Sequence, residues 1–214
     1  MVSRGARRGR RGFIGLILCV LCASARNSEV IDRIAVTVDT QVITQSRVEE
    51  EIRLAAFLNG EKPDLGGESR RRAATRLVER LLLEREMELT RYPAPPPEEA
   101  ERLLEQLPQS RSPEAQLRQA LAAAQITEET LRQYLLRQAA VLRFIEVRFR
   151  PEAQVSEAEI ENCSQKRKPP TSAEEARVQC EEALLAAAAD KAVDRWLRDA
   201  RERSRIVYRE EAFR

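Results

Sequence analysis

The chain has 214 residues, of which 34% are charged and 4% aromatic, and it contains no histidine. The lack of histidine excludes zinc sites of the HExxH kind and nucleophiles activated by histidine. With 37 basic and 35 acidic residues and few aromatics, nothing indicates the basic face of a nucleic-acid-binding protein. The dominance of Ala, Leu, Glu and Arg predicts a mostly helical fold.

Residues 1–25 are predicted to be an export signal. Five arginines precede an apolar run from Phe13 to Ala25, and Ala23-Ser24-Ala25 fits the small-x-small rule for cleavage. As a helix this run would extend about 20 Å, short of the roughly 30 Å core of a bilayer. We therefore expect cleavage near Ala25, periplasmic localisation by the secretory or the twin-arginine route, and no membrane span in the mature chain. That mature chain carries 32 basic and 35 acidic residues.

The first structured stretch is predicted to be a β-hairpin that runs into a helix. Residues 34–38 alternate with the two-residue period of a half-buried strand, and residues 42–44 form a second β-branched run. Residues 39–41 between them predict a tight turn. Ser46 and Glu49 match a capping box, in which each side chain accepts from the other residue's backbone N–H. Because a lone hairpin is only marginally stable, a third strand or a helix must cover it.

The rest of the chain is predicted to be helical. Hydrophobic periodicity predicts helices over residues 47–58, 69–91, 97–107, 112–124, 127–150 and 172–203, a capped start at Ser156 and a β-prone run at 205–209. Gly60 ends the first helix and the prolines at 93–97 end the second. The helix after Thr127 is apolar on two sides, so we expect it to lie between neighbouring elements.

Three stretches resemble one known family. The hairpin followed by S-x-V-x-x-x-I at 46–52, the run ALAAAQITEETLRQYLLRQ at 120–138 and A-x-D-R-W-L-R-D-A-R-E-R-S-R-I-V-Y at 192–208 are similar to the SurA-like, parvulin-associated periplasmic chaperones. The turn lacks the family's Asn-Gly corner, since Thr40 and Gln41 stand there, and Gln125 replaces a customary glycine. The resemblance implies that residues 205–209 return to the hairpin as its third strand, giving a mostly α (α+β) fold.

The resemblance also implies a domain organisation. Residues 26–214 would form one chaperone domain, with the hairpin and helical core in 26–150 and the long helix and strand in 172–214. Residues 151–171 would be a linker at the position where family members insert a parvulin isomerase domain. No such domain fits into that gap.

The function implied by the resemblance is that of an ATP-independent holdase for unfolded exported and outer-membrane proteins. Two alternatives are a prolyl isomerase-type foldase and a non-catalytic helical scaffold of the envelope. After residue 25 the only glycines are Gly60, Gly66 and Gly67, too few for a phosphate-binding loop or a dinucleotide fingerprint. We expect no catalytic residues, no metal and no cofactor.

Five aromatic residues are candidates for binding clients, with core packing as the alternative for each: Phe57, Tyr92, Tyr134, Phe144 and Phe149. For Trp196, on the most continuous apolar row, core packing is favoured. Cys163 and Cys180 are the cysteines that remain after cleavage, and an oxidising compartment favours their pairing. Two free thiols at unmatched heights are the alternative.

Overall fold

The structure, a computed structural model, describes residues 32–107, 114–152, 154–166 and 172–214. The predicted export segment and the Ser112-Pro113 start of the fourth helix lie outside these residues. The elements are β1 Ile34–Val38, β2 Gln41–Thr44, α1 Gln45–Asn59, α2 Gly67–Leu89, α3 Glu98–Gln106, α4 Glu114–Ala123, α5 Glu128–Phe149, α6 Glu157–Lys166, α7 Ala173–Arg203 and β3 Ile206–Tyr208. The prediction of a mostly α fold with a small antiparallel sheet is confirmed.

The sheet has the order β2-β1-β3, and both pairings are antiparallel. β3 therefore supplies the third strand from a point more than 160 residues further along the chain. The hairpin turn has a positive φ of 51° at Asp39, the residue before the Thr40-Gln41 pair. The Asp39 carboxylate accepts from the backbone N–H of Arg205 at 2.8 Å and from Arg85 at 2.6 Å, which joins the turn to the chain leading into β3.

The predicted capping box at the start of α1 is wrong. Thr44 is the N-cap, and its hydroxyl accepts from the backbone N–H of Arg47. The backbone N–H of Ser46 instead donates to Asp32, 3.2 Å away. Strand pairing holds Thr44 in the extended conformation that an N-cap needs, so the cap falls two residues earlier than the local pattern indicated.

The capped start predicted at Ser156 is present, and two further hydroxyl groups cap helices. The side chains of Thr127 and Ser172 accept from backbone N–H groups at the starts of α5 and α7. Ser156 and Glu159 form a reciprocal capping box, with the Ser156 N–H donating to the carboxylate at 2.9 Å. Gln125, where the family has glycine, has a φ of 57°, in the left-handed region that glycine adopts most easily.

α6 continues further than the sequence predicted. Residues 151–171 were expected to be a linker with a capped start at Ser156, but within them α6 runs from Glu157 to Lys166 and includes Cys163. Cys163 and Cys180 form a disulfide with a Cα–Cα distance of 5.9 Å. The bridge fixes α6 against the first turns of α7, so part of the expected linker belongs to the folded domain.

The C-terminal residues form a 3-10 turn, Glu210–Phe213, that the sequence did not predict. This turn packs on the start of α2, where Arg71 forms two hydrogen bonds of 2.8 Å with Glu210. A Cβ added at Gly67 would lie 2.0 Å from the carbonyl oxygen of Phe213. The side chain of Phe213 is buried beneath this contact.

The buried apolar side chains form two clusters. The sheet cluster includes Val36, Val38, Val48, Leu77, Val78, Phe144, Phe149, Leu197 and Phe213. The helix cluster includes Leu54, Phe57, Leu104, Leu121, Ile126, Leu131, Tyr134 and Leu135. α5 contributes to both clusters, so it connects the part of the domain around the sheet to the helical part.

Candidate functional site

A groove that is open to solvent lies between the end of α2, the connector that follows it and the middle of α5. Its volume is about 470 Å³. The apolar lining consists of Met87, Tyr92, Ala94, Pro95, Leu136, Ala140 and Val141, and the charged residues around it are Glu84, Glu88, Arg91 and Arg137. The groove therefore offers an apolar surface with charges of both signs at its walls.

The end of α2 sets the path of the connector that closes the groove. Arg91 has a φ of 53°, and its N–H donates to the carbonyl of Glu88 while the N–H of Tyr92 donates to that of Met87 at 2.8 Å. These two bonds form a Schellman motif with arginine in the left-handed position. The prolines from Pro93 onward then prevent a return to helix, and the chain runs along the groove.

A row of aromatic rings connects the groove to the core. Tyr92 contacts Phe144 with ring centroids 5.2 Å apart, Phe144 contacts Phe149 at 6.3 Å, and Phe149 contacts Trp196 at 6.0 Å, all edge-to-face. Edge-to-face pairs contribute about 0.5–1.5 kcal/mol beyond the area they bury. The position of Tyr92 at the groove is thus fixed by packing with the core.

Only one of the five aromatic candidates lines the groove. Tyr92 is half-buried there, whereas Phe57, Tyr134, Phe144 and Phe149 are at most 9% exposed. The client-binding role predicted for those four is corrected to core packing, since a polypeptide cannot reach a side chain covered by neighbouring helices. Trp196 is half-buried and packs on the sheet cluster, as the sequence favoured.

The sequence predicted that α5 lies between neighbouring elements that cover both of its apolar sides, and this is only partly correct. Leu131 and Leu135 are buried, but Leu142 and Val147 are 62% and 63% exposed. Leu136 is half-buried in the groove wall. The apolar pattern of α5 was visible in the sequence, but no sequence signal separated the residues that are covered from those that stay open.

A buried ionic network is built around Glu51 of α1 and Arg80 of α2. The Arg80 guanidinium donates to both carboxylate oxygens of Glu51 at 2.7 and 2.8 Å, and both side chains are almost fully buried. The Tyr134 hydroxyl donates to Glu51 at 3.4 Å and accepts from Gln138 at 2.9 Å. Burial and the Glu51 carboxylate raise the pKa of Tyr134. The network joins α1 and α2 to α5 with paired charges, as burial requires.

Of the four charged residues that line the groove, Glu84 and Arg137 are partly buried, whereas the other two are exposed. The Oε1 atom of Glu84 is buried and meets no hydrogen-bond donor among the described residues. Burial raises the pKa of the Glu84 carboxyl, while Arg137 and Arg80 oppose this shift. Burial also lowers the pKa of Arg137, with Arg47 adding to the effect. Sequence reasoning missed both residues, because each resembles the solvated charges found along most surface helices.

Comparison with protein-family models and with curated proteins finds no match for this chain. The resemblance to SurA-like chaperones therefore stays a prediction from the sequence. Within the described ranges, no helix is long and apolar enough to cross a membrane. No cluster of cysteine, aspartate and glutamate side chains suited to a metal ion occurs in the same ranges.

Proposed function

We propose that this protein is an ATP-independent periplasmic chaperone that holds unfolded exported or outer-membrane polypeptides. The observation that carries the proposal is the open apolar groove between α2 and α5 with charges at its walls. Exposed apolar surface surrounded by polar groups is typical of surfaces that bind polypeptides. The export signal predicted for residues 1–25 supports a periplasmic location.

The size of the groove supports weak and sequence-tolerant binding. A volume of about 470 Å³ is within the usual range for binding pockets and accommodates a few apolar side chains. Burying each such side chain contributes about 1.5–3 kcal/mol, and immobilising an unfolded segment costs a large part of that gain. We therefore expect binding in the micromolar range, with little selection among apolar sequences.

The first test measures aggregation of an unfolded outer-membrane β-barrel protein by light scattering, without nucleotide. The chain is expressed with its own leader and purified from the periplasm. We expect the wild-type protein to slow aggregation at about stoichiometric ratios. Leu136→Glu places a charge in the groove wall and should remove most of this effect.

Val178→Glu is the matched control, because Val178 is a 53% exposed apolar residue of α7 outside the groove. It should retain wild-type protection. Equal protection by Leu136→Glu and the wild type, with both folded by circular dichroism, would show that the groove does not hold clients.

The same preparation separates the two alternative functions. Acceleration of a proline-limited refolding reaction at substoichiometric protein would favour an isomerase-type foldase, since that step takes tens of seconds uncatalysed. No protection of several unrelated unfolded clients, together with binding to a single folded envelope protein, would favour a scaffold.

A further inference from the structure

Glu84 occupies an unusual position for a carboxylate. It lies in the wall of the groove, and its Oε1 atom is buried without a hydrogen-bond donor among the described residues. A buried anion without donors is costly, and protonation removes that cost. The groove therefore contains one acid whose charge depends on how much water reaches it.

The charged groups around Glu84 do not neutralise it directly. Those that act on it are Arg137 of α5, Arg80 and Glu88 of α2 and Arg47 of α1, while Arg91 and Tyr92 of the connector line the same groove. Two of the arginines have other partners, since Arg80 pairs with Glu51 and Arg47 with Glu50. Burial outweighs the three arginines, and the pKa of Glu84 is raised.

We propose that polypeptide binding in the groove is coupled to the uptake of one proton by Glu84, so that apolar segments bind more tightly as the pH falls. The inference rests on the proposed function. An apolar segment lying over the groove removes the remaining water from Glu84, which disfavours its ionised form further. A proton from solvent then binds to a carboxylate oxygen, and no other bond changes. Because binding of the segment favours protonation of Glu84, linkage requires that the affinity for the segment rises with proton concentration.

The composition of the chain makes this coupling measurable. The protein contains no histidine, so its ordinary side chains change charge little between about pH 5.5 and about pH 7.5. The α-amino group, which titrates near the upper end of this range, is common to all the variants compared below. A pH dependence in this window therefore reports on a carboxylate with a raised pKa.

The experiment measures the affinity of the periplasmically purified protein for one peptide at both pH values by fluorescence anisotropy. The peptide contains leucine, phenylalanine, serine and glycine with two lysines for solubility, and both ends are blocked, so that it does not titrate. We expect wild-type binding to be at least about threefold tighter at the lower pH, within the limit of about tenfold per pH unit for one proton. Glu84→Gln should bind equally at both pH values, with the affinity that the wild type shows at the lower one.

Glu181→Gln is the control, because Glu181 is an exposed acid of α7 that lies outside the groove. It should keep the wild-type pH dependence. A flat wild-type response, or a pH dependence that survives in Glu84→Gln, would overturn the inference and leave the proposed function standing. No binding of any unfolded client or peptide at either pH would overturn the proposed function, and the inference with it.

Thermal stability gives a second measurement without peptide. A carboxyl whose pKa is raised by folding destabilises the native state when ionised, and this cost shrinks as the pH falls from the folded-state pKa to the lower unfolded-state pKa. Glu84→Gln should therefore melt at a higher temperature than the wild type near neutral pH, with the difference closing at lower pH. A difference that does not change with pH would contradict the assignment of the titrating group to Glu84.

Discussion

Gly67 should be essential to the attachment of the C-terminal turn, and Gly67→Ala tests this. A Cβ at this position would lie 2.0 Å from the Phe213 carbonyl oxygen, where ordinary contacts begin at 3.4 Å. The partner atom is backbone, so the turn must move by roughly 1.4 Å or detach. Gly66→Ala is the control, because the nearest atom to its added Cβ is a rotatable Asp64 oxygen at 3.1 Å.

The expected loss of stability follows from what the turn buries. Phe213 is 8% exposed and Ala212 2% exposed, and full burial of a phenylalanine side chain contributes about 1.5–3 kcal/mol. Some strain also remains if the turn shifts away from the added Cβ without detaching. We therefore expect Gly67→Ala to lower the free energy of unfolding by about 2–4 kcal/mol. For a chain of this size the melting temperature should fall by about 5–15 °C.

A double-mutant cycle by urea unfolding isolates the cause. Deleting residues 210–214 removes the Phe213 carbonyl, so in that background Gly67→Ala should be neutral or, since alanine favours helix over glycine, slightly stabilising. Full additivity of the substitution and the deletion would refute the reasoning, because the cost of Gly67→Ala would then not come from Phe213.

Two further predictions concern the interior and the disulfide. Arg80→Met leaves the Glu51 carboxylate, 3% exposed, without its partner and should cost about 3–5 kcal/mol in urea unfolding, while Glu51→Leu combined with Arg80→Met should cost much less. A single Arg80 variant as stable as the wild type would contradict the network. Removing the Cys163–Cys180 bridge, which spans 17 residues, by changing both residues to serine should cost about 3 kcal/mol. Two reactive thiols per unfolded, unreduced chain would show that the bridge does not form.

Features that depend on neighbouring residues were predictable from the sequence. The caps at Thr127, Ser156 and Ser172 each need one hydroxyl and a backbone N–H three residues later, so the local pattern suffices. The end of α2 was only partly predictable: Pro93 prevents a return to helix, but the helix already ends at Leu89, in a Schellman motif with Arg91 at a positive φ. The strand at 205–209 was expected to join the hairpin from the family resemblance, and its pairing with β1 bears out that part of the fold.

Features that depend on distant residues were not predictable. The cap of α1 is Thr44 and not Ser46 because Asp32 and the strand pairing occupy the start of this helix. Phe57 and Phe144 have the same character in the sequence as Tyr92, and only the positions of the surrounding helices decide that they are buried.

The sequence by itself therefore determined the helical composition, most helix starts and stops, and the absence of histidine chemistry. Only the tertiary structure decided where α5 stays uncovered, which places the groove along Leu136 and Ala140, and how the Oε1 atom of Glu84 becomes buried without a hydrogen-bond donor among the described residues. The physical reason is the separation along the chain over which each effect acts. Caps and periodicity act within a few residues, whereas burial and the pKa of a carboxyl depend on which remote elements pack around it.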